Sequence, residues 1–227
     1  MRQTIMRFVQ NSFVVVMILW RALAAPDTRA DILFESGTLG PTGVPRQDVL
    51  DQIVLGANVN NNAFVGVRLQ LTQPVRTTEI GGHFVGLPDN TTFFGAVVAL
   101  DGPTDFPDSN DLSTPDVLGS TLLGFPEPSA EVFGSLDLQL DPGWYALIFG
   151  SGVLSANGDG AALLNNTDIG SPDYIGFLSG FGWGRRLPGK RFVVNGIIIP
   201  EPTSVVLAVA ASFVLLSLYR HRFSCSH

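Results

Sequence analysis

Through the middle of the chain, apolar and polar residues exchange places at every second position. Val65, Val67, Leu69 and Leu71 alternate with Gly66, Arg68 and Gln70, and Leu136, Leu138 and Leu140 alternate with Ser135, Asp137 and Gln139. A period of two puts one set of side chains on each face of an extended strand. Residues 144–149 (WYALIF) are apolar on both faces, as in a strand buried at the centre of a sheet, and follow an Asp141-Pro142-Gly143 turn. Runs at 31–35, 52–59, 77–85, 92–100, 117–125 and 191–199 predict further strands. Gly, Pro, Asn and Asp punctuate nearly every gap, and nothing between residues 26 and 199 keeps a helical apolar stripe for three turns. Many short strands with Gly/Pro-rich turns predict an all-β fold, an antiparallel β-sandwich of jelly-roll-like form.

The two ends follow a different pattern. Arg2 and Arg7 precede an uncharged apolar run at 13–20 (FVVVMILW), then Arg21 and Ala22-Leu23-Ala24-Ala25. A positive start, a short apolar stretch and small residues at A-x-A spacing predict a secretory signal peptide over residues 1–25, with Ala22, Ala24 and Ala25 as its cleavage region. At the other end, Pro200-Glu201-Pro202 and Thr203-Ser204 lead into an uncharged apolar run at 205–219, closed by Arg220-His221-Arg222. At about 1.5 Å per residue that run covers most of a roughly 30 Å hydrocarbon core, and a transmembrane helix over about residues 203–219 completes it. Basic residues beyond the run orient that end toward the cytoplasm, as Arg2 and Arg7 orient the start, which leaves residues 26–199 outside.

This tail resembles the PEP-CTERM sorting signal of exported envelope proteins, in which a Pro-Glu-Pro motif, an apolar helix and an arginine-containing cluster follow one another at the C-terminus. The matching residues are Pro200, Glu201 and Pro202, the run at 205–219, and Arg220 with Arg222. Five residues (FSCSH) follow Arg222, which departs from the pattern at the extreme end, and Pro126-Glu127-Pro128 matches the motif without any apolar segment behind it. The resemblance implies recognition by an exosortase-type membrane protease, membrane attachment before processing, and a final place in the cell envelope or extracellular matrix. A plain C-terminal anchor would give the same topology without cleavage. Three inner segments, 81–86, 104–119 and 142–152, are also similar to stretches found in PEP-CTERM proteins of this size. They add architecture and address, and no chemistry.

Composition narrows the remaining choices. Charged residues make up 15% of the chain and hydrophobic ones 45%, which excludes intrinsic disorder. Residues 26–199 hold 8 basic and 19 acidic residues, a net charge of −11, so nucleic acid is not an expected partner. The single cysteine, Cys225, lies in the tail, so the central domain holds together by packing alone.

Candidate chemistry is sparse. His83 is the one imidazole between residues 26 and 199, too few for a zinc site, and there is no G-x-S-x-G elbow for a serine hydrolase. It reads as a packing or hydrogen-bonding residue. An acidic stretch carries Asp101, Asp105, Asp108, Asn110, Asp111 and Asp116, stiffened by Pro103, Pro107 and Pro115. Asp105, Asp108, Asn110 and Asp111 are candidate calcium ligands, because calcium accepts irregular loops rich in hard oxygens. The competing reading is a solvated loop with Asx turns, and Leu112 interrupts an EF-hand pattern counted from Asp108. Phe181 and Trp183 sit in a glycine-interleaved run with Arg185 and Arg186, on one face if extended. They would either stack on sugar rings or fill the end of the core.

The sequence therefore predicts no enzyme and no required cofactor, with calcium the one ion in view. The expected function is structural or binding, in the envelope or matrix, with extracellular polysaccharide as a candidate partner. A calcium-dependent lectin-like module is the alternative, and a carboxylate-only glycoside hydrolase a more distant one.

Overall fold

The computed structural model describes residues 30–87, 91–200 and 211–212. Two antiparallel sheets pack against each other. One contains, in spatial order, β14 (Gly182–Arg185), β13 (Asp173–Leu178), β4 (Ala63–Leu71), β10 (Gly143–Gly150), β6 (Thr92–Leu100) and β7 (Val117–Gly124). The other is built on the 12-residue β5 (Val75–Gly86). Along one edge of β5 lie β15 (Phe192–Ile198), backed by β1 (Asp31–Glu35), and then β11 (Gly160–Leu163), backed by β3 (Gly56–Val59). Along the opposite edge lie β8 (Ala130–Ser135) and β9 (Gln139–Leu140). A two-residue ladder joins β2 (Gly37–Thr38) to β12 (Thr167–Asp168), and a short helix, α1, spans Arg46–Leu50.

The inner faces supply the main core. From the six-stranded sheet come Val65, Val67, Leu69, Phe93 and Phe149, and from the other Ile80, Phe84, Phe192 and Val194, all buried. Aromatic rings bridge the layers, with Phe149 at 5.0 Å from Phe84 and 5.1 Å from Phe192, distances at which edge and offset contacts are favourable. The alternation along β4 is thus realised, with its odd positions facing the second sheet. Residues 144–149 fall in β10 between β4 and β6, the central place that their two apolar faces predict.

The even face of β4 departs from the sequence expectation. Gly66 and Arg68 are buried as well, because the outer face of the six-stranded sheet carries its own apolar layer. Phe64, Phe94, Ala96, Ile148 and Ile175 form it, and loops at 101–116 and 151–156 cover it with Phe106, Leu112 and Ala156.

Two runs predicted as continuous strands are broken. Of residues 52–59 only 56–59 are extended. The chain first makes α1 behind Pro45, whose fixed φ of −66° suits a helix start, and then turns through Gln52 at φ 59°. Residues 136–138 are also outside any strand, although Leu136 and Leu140 are buried as the alternation requires. There the buried hydroxyl of Thr77 enters the ladder, donating to the Leu136 carbonyl at 2.6 Å and accepting the Leu138 N–H at 3.1 Å. Among the described residues no helix is long and apolar enough to cross a membrane. The predicted signal peptide lies outside the described residues, as does the predicted C-terminal helix apart from Ala211 and Ser212, which are helical.

Candidate functional site

The acidic loop is held from below. Arg68, on β4, donates through Nε to the Asp105 carbonyl at 2.6 Å and through Nη2 to the Thr104 carbonyl at 3.0 Å, while Nη1 pairs with Asp173 at 2.6 Å. Phe106 packs over the guanidinium at 4.2 Å. Leu112, in a left-handed turn at φ 55°, is driven into the outer apolar layer. The residue that interrupts the calcium pattern is therefore an anchor.

The carboxylates bind their own backbone. Asp105 accepts the Asp101 N–H at 2.8 Å, and Asp116 accepts that of Asp108 at 2.9 Å. Asp111 accepts both the hydroxyl of Ser113 at 2.7 Å and its N–H at 3.2 Å, and these bonds, led by the hydroxyl, hold its carboxyl below the usual range. Asp108, Asn110 and Asp111 are exposed and Asp105 is half-buried. Among the described residues no group of three or more His, Cys, Asp or Glu side chains is placed to share a metal ion.

The two aromatics expected on one face are separated. Phe181 lies in the turn between β13 and β14, between Gly180 and Gly182 at φ +85° and +76°, and is 84% exposed. Trp183 lies in β14, packs against Phe177 and Phe64 at 5.7 and 6.3 Å, and donates Nε1–H to the Ser109 carbonyl at 3.1 Å. Left-handed glycines on both sides of Phe181 turn the chain there, so the extended geometry needed for a shared platform is absent.

The polar chemistry that the fold does concentrate is buried at one end of β5. His83 is fully buried, with Nδ1 2.9 Å from the Asn166 amide oxygen and Nε2 3.3 Å from the Ser129 hydroxyl. The surrounding bonds fix the tautomer. The Asn166 amide nitrogen donates to the carbonyls of Leu163 and Gly189, so its oxygen accepts, and it takes Gly40 N–H as well as Nδ1–H. Nε2 then accepts from Ser129, whose oxygen in turn accepts the Val44 N–H at 3.0 Å. Burial, the larger effect, pushes the imidazole pKa down; Asn166 and Glu131 oppose it and Arg191 adds to it.

Beside this cluster Arg191 bridges Glu131 at 2.5 Å and Glu35 at 2.7 Å and donates to the Gly37 carbonyl. Lys190, also fully buried, donates to the Leu187 carbonyl and sits 4.5 Å from the Tyr174 ring centre. Desolvation lowers its pKa to about 8. The Tyr174 hydroxyl is 2.8 Å from Asp168 and 2.5 Å from the Lys190 carbonyl, and burial pushes its pKa up.

Serine, imidazole and amide stand here in the order of a hydrolytic triad. The serine, however, is 2% exposed and lies beneath residues 43–44, which bond its backbone in both directions. A nucleophile needs an approach for its substrate. The constellation is a tie between segments, in keeping with the packing role expected of His83.

An open groove of about 580 Å³ lies nearby, walled by Arg46, Val49 and Leu50 of α1 and floored by Gly56, Gly160 and Ala161. Arg46 pairs with Asp159 across it at 3.0 Å. Nothing in the sequence marked this groove, because its walls come from chain segments about 110 residues apart. Of the sorting residues, Pro200 is described and exposed. Ala22, Ala24, Ala25, Glu201, Pro202, Arg220 and Arg222 lie outside the described residues. No family model matches the chain, and no curated protein or solved structure is significantly similar to it.

Proposed function

We propose that this is an exported envelope or matrix protein, a structural or binding domain delivered by an N-terminal signal peptide and sorted through its C-terminal Pro-Glu-Pro motif and apolar helix. The observation that carries the reading is the order of that tail: Pro200-Glu201-Pro202, an uncharged run at 205–219, then Arg220 and Arg222, in a chain that also begins with an arginine-flanked apolar run. The fold is compatible with it. β15 ends at Ile198, the Ile199 N–H bonds to the Pro74 carbonyl at 2.8 Å, and the exposed Pro200 follows at once. The motif thus begins, at the exposed Pro200, where the sheet's own bonding stops, which supports access by a membrane protease of the exosortase type. Strands that repeatedly cross between the sheets, as β3 to β4 to β5 to β6 do, favour a jelly-roll-like topology.

Changing Pro200, Glu201 and Pro202 to alanine leaves an unprocessed, membrane-bound form, visible by intact mass of the protein from fractionated cells. Normal maturation of that variant refutes the role. The acidic loop spends its carboxylates on its own backbone and Trp183 packs into the outer layer, so the calcium-lectin and glycosidase alternatives stand behind this reading. A calcium-binding heat abolished by D108N and D111N would bring the first of them forward.

A further inference from the structure

The buried polar cluster has a movable neighbour. Residues 40–54 run over the outer face of the β5 sheet as a flap in which no residue is buried. Val44, Val49 and Val54 cover a small apolar patch of Val85, Ala161 and Leu163 that belongs to neither main core. Most of the flap's tethers converge on the two partners of His83. Val44 N–H bonds to the Ser129 hydroxyl, Gly43 N–H to the Ser129 carbonyl at 2.8 Å, and Gly40 N–H to the Asn166 amide oxygen. At its far side Arg46 N–H rests on Glu127 at 3.1 Å, and its side chain on Asp159. α1, inside the flap, is one wall of the groove.

We infer that His83 is an acid-sensitive latch on this flap: neutral, it holds residues 40–54 closed, and protonated, it releases them, opening the groove wall and baring the Val85 patch with the β3 edge. The mechanism follows from proton bookkeeping. In the closed state Nε2 is an acceptor, and the Ser129 O–H points to it while the Ser129 oxygen takes the Val44 N–H. A proton on Nε2 turns the acceptor into a donor. Ser129 then takes the imidazolium N–H and the Val44 N–H on its two lone pairs, and its own O–H is displaced from the acceptor it had in Nε2.

The charged groups around the ring do not rescue it. Glu131, directly across from His83 on β8, is already engaged by Arg191, which itself repels a second cation. Glu35 on β1 is held by the same arginine, and the segment at 163–166 offers only the neutral Asn166. A buried charge without a free counter-charge is relieved most cheaply by admitting water, and the flap, in which no side chain is buried, has little packing to lose. The proton is taken up in the open state, so opening grows about tenfold per pH unit from near 6.5 down to the closed-state pKa.

The test is hydrogen exchange on the full chain between pH 8 and 5, corrected for intrinsic rates, with β10 as internal reference. The expected result is a graded loss of protection in residues 40–54 below pH 6.5 while β10 stays protected, and its disappearance in H83Q. Constant relative protection of residues 40–54 across that range, or an unaltered pH response in H83Q, overturns the latch. If H83Q does not fold, a variant with His221 and His227 changed to Asn leaves one imidazole to follow by NMR. A midpoint below 6.5 that coincides with flap opening supports the proposal, and one at or above 6.5 overturns it.

Discussion

Replacing Arg68 with methionine isolates what fastens the acidic loop to the sheet. The Arg68 side chain is 2% exposed, and methionine refills much of its volume without any donor. Two loop carbonyls, Thr104 and Asp105, then lose a charged donor, at about 1.5–3 kcal/mol for each such bond. The Phe106 contact contributes about 0.5–2 kcal/mol more. Asp173, at 33% exposure, is screened by water, so its pairing adds no more than about 1 kcal/mol. Relief of the arginine's own desolvation offsets part of this, and the net loss is about 3–5 kcal/mol. For a domain of this size that is a fall of roughly 10 °C in unfolding midpoint. Arg76 provides the control, since its two bonds to Asp137 are equally short at 2.6 Å but lie on the surface. Urea and thermal denaturation of R68M and R76M, with hydrogen exchange across 101–116, measure the contrast. R76M stays at the wild-type midpoint, and R68M falls with early loss of loop protection. Equal midpoints for the two variants would refute the reasoning.

Other outcomes follow from single contacts. A Cβ on Gly95 would come within 2.8 Å of Phe149 and 2.9 Å of Ile80, so G95A overpacks the space between the sheets and costs about 1–3 kcal/mol in a urea melt. W183F gives up the bond to Ser109 and loses about 1 kcal/mol, whereas F181S, at an exposed turn, stays within about 0.5 kcal/mol of wild type. Lys190 has a folded pKa of about 8 against an ordinary 10.5, so between those values the unfolded chain holds more protons and stability rises with pH. K190M removes that rise, which melts at pH 8 and 9.5 resolve; an unchanged slope would show that the amine is not desolvated.

How much of this was readable in advance depended on how far apart the cooperating residues lie. A period of two is a local property, so β1, β4, β5, β6, β7, β10 and β15 appear in the sequence close to their true places. β8, β11, β13 and β14 escaped because each is short and glycine-bearing, and their pairing comes from neighbours elsewhere in the chain. The Leu136–Leu140 alternation gave the right burial and the wrong ladder, since the interruption comes from Thr77, some 60 positions away.

The address and the chemistry divide along the same line. The proposed sorting tail would be read by other proteins as a linear string, so its order of proline, apolar run and arginine is carried by the sequence alone. The acidic loop could be seen there, but not Arg68 reaching its carbonyls from beneath. Ser129, His83 and Asn166 carry no shared spacing and are 46 and 83 positions from one another across the imidazole. Only the pairing of β5 with its neighbours brings them within hydrogen-bond range, because burial forces each polar group to find a partner wherever the packed chain happens to place one.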